Sequence, residues 1–381
     1  MMQSDVETDV LNRAKAATLE IIDKQMENIG ERFPLGWTEN GKYAIVGCEN
    51  WMSGFWSGML WLAYEWTGKA KYRSLAEKHI DIFMKRIETK SYVGNHDLGF
   101  LYSLSCVSAY RLTGNERAKK AALMAADHLY DNFFIDKGAP HINAWAEKKE
   151  LVQDNSFMII DCLMNLPLLY WASEVSGDEK YRKAALAHTE TTSNLIFRED
   201  GSTYHKYNFD VETGMPRNGS TAQGYSDQSC WSRGQAWGVY GFALAYAQTK
   251  QVKYLNCFKR AADYFISKLP EDTIPYWDFT FTDGDEPRDS SAAVIAACGI
   301  LEAAGLVSND EKIDFYLEIC EKMTKSLLDK YAIAPESGID GLISGGTAFK
   351  AQGQYDQALI FGDYFYMELL TRLTTDWKKY W

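Results

Sequence analysis

Proline is scarce in this chain of 381 residues, which holds 8, and no Ser/Pro/Gly-rich stretch interrupts it. Without a linker there is no visible seam between domains, so one domain spanning residues 1–381 is expected. No run of about 18 or more apolar residues occurs, which argues against a membrane-spanning helix. The 7 cysteines (Cys48, Cys106, Cys162, Cys230, Cys257, Cys298, Cys320) form no C-x-x-C pair. They read as reduced core residues, and their odd number fits a reducing compartment. The 6 histidines (His79, His96, His128, His141, His188, His205) show no H-E-x-x-H or paired spacing, so no metal is expected. A P-loop, a post-strand G-x-G-x-x-G and a G-x-S-x-G elbow are all missing, which removes support for a nucleotide, for any other cofactor and for a serine nucleophile. Positive charge is outnumbered, 40 Lys+Arg against 52 Asp+Glu for a net −12, which argues against nucleic acid and anionic membranes as partners. A small anionic substrate would need a local cation. The first residues, Met1–Glu7, contain neither a basic region nor an apolar run, so no secretory signal is visible and a cytoplasmic location is the default.

Aromatic residues are abundant, with 12 Trp, 23 Tyr and 18 Phe. Most must serve as core, whereas loop aromatics such as Trp145 and Tyr204 suit a sugar-binding cleft. Helical patterns run over Val6–Asn28, Ser53–Trp66, Lys69–Arg86, Leu98–Leu112, Asn115–Phe133, Ser156–Val175, Asp178–Leu195, Gly234–Gln248, Gln251–Lys268, Ser290–Ala304, Asp310–Asp329 and Gly362–Thr375. Helices apolar nearly all round, such as Gly54–Tyr64, alternate with amphipathic ones, such as Lys71–Asp81. The first kind is buried and the second covers it. Short Thr-Gly or Ser-Gly turns lead from buried to amphipathic helices, and longer loops lead back. Strand-like sequence is confined to loops, as in Ser202–Phe209. The repetition predicts an all-α (α/α)6 barrel of six outer/inner hairpins, with an open α-solenoid as the alternative.

Trp51, Asp97, Asp161, Arg233 and Asp289 each precede a buried helix by nearly the same interval, about 16 residues or about 24 Å of helix before the next tight turn. Parallel staves would bring these side chains together at one end of the barrel. Asp161 lies in the apolar run Phe157–Met164 and is either a helix cap or a carboxyl whose pKa rises through burial. Asp97 is either an N-cap or its partner; two facing carboxyls make each other harder to ionise and keep one protonated for acid catalysis. Arg233 either pairs with a neighbouring acid or offers its fork to a substrate carboxylate. Trp51, Trp145 and Trp237 suit sugar stacking. His205 and Gln223 lie in the longest loop. Asp289 most simply caps its helix, and Asp363 and Tyr364 serve the sixth inner helix in the same way.

These residues carry a resemblance. Asn50-Trp51 with Gly54–Gly58, His96–Leu104, Ile159–Leu169, Tyr204-His205, Trp231–Gly238, Tyr276–Phe279, Arg288–Ser291 and Gly362–Tyr366 closely resemble the unsaturated glucuronyl hydrolases, glycoside hydrolase family 88, over nearly the whole chain. The resemblance implies a bacterial (α/α)6 enzyme acting after a polysaccharide lyase, without metal or cofactor. Its implied substrate is the non-reducing-end Δ4,5-unsaturated glucuronic acid of glycosaminoglycan disaccharides, such as those of chondroitin and hyaluronan. It implies that Asp161 is general acid and base and Asp97 its partner carboxylate. It places Trp51, His96, Trp145, His205, Gln223, Arg233 and Trp237 against the substrate. The last loop, Ser344-Gly-Gly-Thr347-Ala-Phe-Lys350, is similar in character to a Ser/Lys cluster that reads sulfate in some members but differs in spacing, so Ser344, Thr347 and Lys350 are sulfate-binding candidates. Two other functions compete: hydrolysis of pectin-derived unsaturated rhamnogalacturonyl disaccharides on the same barrel, and a helical carbohydrate-binding protein without catalysis.

Overall fold

A computed structural model describes residues 8–381; the expected start of the first helix at Val6 and the reading of Met1–Glu7 lie outside them. In chain order the elements are α1 (Thr8–Ile29), β1 (Phe33–Glu39), β2 (Lys42–Val46), α2 (Ser53–Thr67), α3 (Ala70–Glu88), α4 (Leu98–Tyr102), α5 (Ser108–Thr113), α6 (Glu116–Phe133), β3 (Phe134–Ile135) and β4 (His141–Ile142). There follow β5 (Phe157–Ile159), α7 (Leu166–Ser176), α8 (Glu179–Leu195), β6 (Lys206–Phe209), β7 (Pro216–Ser220), α9 (Ser232–Thr249), α10 (Val252–Ser267), α11 (Ser290–Ala304), α12 (Glu311–Ser326) and α13 (Ile360–Thr374). A π-helical turn, Ser103–Val107, joins α4 and α5 into one stave. There the Ser105 hydroxyl donates to Leu101 O and the Trp61 indole N–H donates to Ser105 O at 3.1 Å, so the widened turn keeps its carbonyls satisfied.

Six staves form the inner ring in the order α2, α4/α5, α7, α9, α11, α13, and α13 packs back on α2. The ring therefore closes, and the fold is an (α/α)6 barrel rather than a solenoid. Each outer helix covers the stave it follows, α3 on α2 through α12 on α11, with α1 against α13. Burial follows the pattern of apolar residues. In α2 every residue from Ser53 to Ala63 is buried. In α10 only Tyr254, Leu255, Phe258, Ala261, Ala262 and Phe265 are, one face of a helix. Gly68, Gly114 and Gly177 end α2, α5 and α7 in the left-handed conformation, each donating its N–H back to Tyr64, Tyr110 and Ser173.

One expected helix is corrected. Ser156–Val175 is not continuous: Phe157–Ile159 is β5, Ile160–Met164 is a 3₁₀ turn, and α7 starts at Leu166. Pro167 stands in the first turn of α7, where its missing N–H costs nothing; further inside a helix it would break the ladder. The aromatic and β-branched residues ahead of it pair instead with β6, in a sheet of order β5-β6-β7. Asp161 thus sits on a tight turn between a strand and a helix.

Residues 376–381 re-enter the barrel beneath the ring. Trp381 stacks on Phe365 at 5.9 Å between centroids, and its indole N–H donates to Glu368 at 2.8 Å. Lys379 pairs with Glu302 and Tyr380 bonds Glu65. Glu65 and Glu302 lie near the C-terminal ends of α2 and α11, so this segment enters from the end opposite the long loops. Among the described residues no helix is long and apolar enough to cross a membrane.

Candidate active site

The N-terminal ends of the inner helices surround a cavity of about 210 Å³. Its aromatic lining is Trp37, Trp51, Trp231, Trp237, Phe349 and Phe361, and its polar lining is Asp161, Gln223, Arg233, Gln352 and Gln354. Trp51 lies nearly parallel to Phe361, 6.0 Å away at 20°. Phe100 packs under both Trp51 (5.6 Å) and Trp237 (5.4 Å), so the floor is backed by a second layer of rings.

Asp161 is placed by the strand before it and the helix after it. Ile160 N–H donates to His205 O at 3.0 Å, extending the β5–β6 ladder to the turn. The carboxyl does not cap α7, and its Oδ1 is buried without a partner. Burial pushes its pKa well above the ordinary carboxyl value, and the charge of Asp97 pushes it further. Backbone N–H groups of the turn and the charge of Arg233 oppose the shift.

Asp97 stands at the N-cap position of α4, yet its side chain caps nothing. Its Oδ1 accepts from Asn165 Nδ2 at 3.4 Å and lies 3.3 Å from His96 Nε2. That second contact is misaligned for a hydrogen bond, and both His96 nitrogens are buried without partners. Burial pulls His96 below its ordinary pKa, so its ring is neutral; burial also raises Asp97, opposed by His96, Asn165 and Arg86. One atom each of His96, Asp97 and Asp161 fall within 4.8 Å of one another. This is the one such cluster of possible metal-ligand atoms among the described residues.

Arg233 pairs with a neighbouring acid, the first of its two expectations, and it also lines the cavity. The partner is Asp289 at 2.5 Å, and the guanidinium also donates to Thr347 O (2.7 Å) and Ala348 O (2.8 Å). An Nε–H and one Nη2–H remain for a ligand, by the count of five donors in a guanidinium. Asp289 also caps α11 by accepting from Ser291 N–H. His205 is buried rather than exposed: its Nδ1 accepts from Ala222 N–H and Gln223 N–H, its ring lies 4.5 Å from Trp231, and burial lowers its pKa to about 3. The Gln223 amide donates to Ala348 O.

Trp145 does not line the cavity. It is 47% exposed and stands edge-on to Phe157, one residue past Ala144, whose carbonyl accepts from His96 N–H. The grouping of Ser344, Thr347 and Lys350 is corrected: the fold does not bring the three together at this cavity. Ser344 lines a separate cavity with Thr38, Tyr355 and Gln357, and its hydroxyl donates to Tyr331 O. Thr347 is buried and donates to Arg288 O, because its backbone is needed to hold Arg233. Lys350 lies over the Tyr355 ring, 3.5 Å from Glu286. Asp363 likewise serves the fold, accepting from Tyr43 OH and from the N–H groups of Leu342 and Ile343.

Sequence reasoning missed Trp37, Trp231, Phe349, Gln352, Gln354, Phe361, Asn165 and Arg86. Trp231 and Asn165 lay inside two of the motifs that carry the resemblance and could have been found there. Arg86 could not: it sits on the outer helix α3 and reaches the carbonyls of Cys48, Asn50 and Tyr92, stitching two mouth loops together.

The sequence model of Glycosyl Hydrolase Family 88 matches residues 21–376. The unsaturated chondroitin disaccharide hydrolase of Streptococcus agalactiae serotype III (strain NEM316) is 40% identical over 359 residues, covering 93% of this chain and 89% of that protein. The crystal structure of unsaturated glucuronyl hydrolase from S. agalactiae superposes with a TM-score of 0.95 at 38% identity, over 99% of this chain and 94% of that one. A mutant of that hydrolase complexed with dGlcA-GalNAc6S gives a TM-score of 0.86 at 37% identity, over 97% of this chain and 93% of that one.

Proposed function

Since the chain belongs to Glycosyl Hydrolase Family 88, we propose that it releases Δ4,5-unsaturated glucuronic acid from the non-reducing end of lyase-made glycosaminoglycan oligosaccharides, the disaccharides of chondroitin and hyaluronan above all. The chain is a glycoside hydrolase. The observation that carries the substrate reading is the Asp161 carboxyl. Burial and Asp97 raise its pKa well above the ordinary carboxyl value, one of its oxygens is unpartnered, and it opens into an aromatic cavity that also holds Arg233.

The chemistry follows from an enol ether. Asp161 gives its proton to C4 of the C4=C5 bond, and positive charge develops on C5, shared with the ring oxygen. Water adds at C5 and yields a proton to the Asp161 carboxylate, which restores the acid. The C5 hemiketal opens by breaking the bond from C5 to the ring oxygen, leaving a ketone at C5 and a hydroxyl on C1. C1 is then a hemiacetal and expels the leaving sugar. No glycosyl-enzyme bond forms, so the carboxylate-separation rule of ordinary glycosidases does not apply. In this reading Asp97 stays ionised and steadies the charge at C5. Arg233 takes the substrate carboxylate, Trp51 and Trp237 stack on the sugar, and Gln223, His205 and His96 orient it, while Trp145, outside the cavity lining, is a candidate on the resemblance alone. Lys350, two residues from the cavity-lining Gln352, is the candidate for binding sulfate on the second sugar.

One hydrophobic core running round the closed ring supports reading residues 1–381 as a single catalytic domain. The cysteines, all unpaired, support a reducing and hence cytoplasmic location.

The test is a panel of sulfated and unsulfated chondroitin, hyaluronan and heparin disaccharides, with a pectin-derived unsaturated disaccharide beside them. Loss of the ultraviolet absorbance of the conjugated acid is expected for the first two. Asp161→Asn is expected to bind them within about twofold of wild type and to lose about 10²–10⁴ in kcat. Binding with unchanged absorbance across the panel overturns the reading, and turnover of the pectin disaccharide alone transfers it to that substrate.

A further inference from the structure

We propose that Asn165 is a positioning residue that couples the two carboxyls, holding Asp97 in register with Asp161 through a two-faced amide. The proposal rests on the reading of Asp97 and Asp161 as the reacting pair.

The amide is fixed on three sides. Asn165 N–H donates to Cys162 O at 2.8 Å, closing the 3₁₀ turn that carries Asp161. Its Oδ1 accepts from Phe100 N–H at 2.9 Å, in the first turn of α4. Its Nδ2 then faces Asp97 and donates to Oδ1. Gly99 makes this possible, since a methyl group there would meet Asn165 Cα at 2.2 Å. The side chain is fully buried, so no water replaces either bond.

Amide orientation is dictated by the Phe100 N–H, which admits only the oxygen. The nitrogen is therefore the end left for Asp97, and a donor stabilises the ionised carboxylate over the acid. The other groups facing Asp97 are His96 on its own loop, Arg86 on α3, and Asp161 and Cys162 on the turn; Arg233 on α9 faces Asp161. Of the pair, Asp97 accepts from the buried Asn165 side chain, whereas Asp161, met only by N–H groups of its own turn, keeps one oxygen without a partner. Asn165 thus directs the negative charge to Asp97 and leaves the proton on Asp161, where the chemistry requires it.

Asn165→Asp isolates this role. An oxygen still accepts from Phe100 N–H, while the donor facing Asp97 gives way to a carboxyl oxygen, whose negative charge also opposes ionisation of Asp97. Expected is a fall in kcat of about tenfold or more with KM within about twofold. The acid limb of the pH–rate profile should move up by about one unit, because Asp97 then keeps its proton to higher pH. A profile superimposable on wild type overturns the proposal, since a purely structural asparagine moves neither limb. Melting temperature supplies the second measurement. In a double-mutant cycle, Asp97→Asn restores a donor opposite the new carboxyl. The double variant should therefore melt several degrees above Asn165→Asp alone, or fold where the single variant does not. Absence of that rescue overturns the pairing. Wild type that consumes no unsaturated disaccharide removes the function reading instead, while the melting cycle still decides whether Asn165 and Asp97 are coupled.

Discussion

At the scale of single residues, the site turns on which carboxyl keeps its hydrogen. In the proposed reading Asp161 works protonated, and burial and Asp97 raise its pKa well above that of an exposed aspartate. Activity is therefore lost as pH rises through the folded pKa of Asp161, and Asp97 contributes to how high that limb lies. In the residual activity of Asp97→Asn the alkaline limb is expected at lower pH than in wild type, because a neutral amide no longer opposes ionisation of Asp161. A pH profile of kcat/KM checks this, and a limb that stays in place removes Asp97 as the perturbing charge. The histidines take no part in such titration: His96, His141 and His205 are all held below their ordinary pKa by burial. Several of these roles were open from sequence alone. An aspartate before a helix reads equally as cap or acid, and only geometry shows that Asp97 and Asp161 cap nothing while Asp289 does cap α11.

At the scale of elements, contacts between neighbouring staves place the side chains. Gly99→Ala puts a methyl group into the Asn165 backbone, so α4 must move away from the turn bearing Asp161. A loss of about 1–3 kcal/mol in stability is expected, with a larger proportional fall in kcat than in binding, read by denaturant melts and steady-state kinetics. Asp363 on α13 offers a pH test of the link to the last loop. Burial raises its pKa to about 7, so the folded state holds its proton more tightly than the unfolded chain does. Its contribution is fully present below about pH 4 and is lost as pH climbs through about 7. Asp363→Asn keeps an oxygen for Leu342 and Ile343, and the variant should gain in melting temperature relative to wild type between about pH 5 and pH 8. A constant difference across that range removes Asp363 as the source. The expected Ser156–Val175 helix failed at this scale too: an apolar run ahead of a proline suits strand or helix, and pairing with β6 decides between them.

At the scale of the whole molecule, the barrel is worked from one end and sealed at the other. Trp381 fills the axis beneath Phe100 and Phe365, anchored by Glu368, which also binds Arg372. Phe100 in turn supports Trp51 and Trp237 in the cavity floor. Trp381→Ala is expected to cost about 3–5 kcal/mol, seen as a lower melting temperature. Because the floor is reached only through intervening rings, KM should rise less than stability falls. A variant as stable as wild type would show that the axial packing is dispensable.

The alternation of buried and amphipathic helices was legible in the chain alone, because period and burial are properties of each segment; closure into a ring rather than a solenoid was not, since it depends on α13 packing on α2. Also legible were the chemical types gathered at the inner-helix starts, because equal intervals along parallel staves bring Trp51, Asp161 and Arg233 to one level. Tertiary structure decided what depends on partners far apart in the chain. It opposed Arg233 with Asp289, turned Ser344 and Thr347 toward backbone carbonyls, and brought Asn165 against Asp97. It left one oxygen of Asp161 buried without a partner, since whether a carboxyl is satisfied is set by everything packed around it.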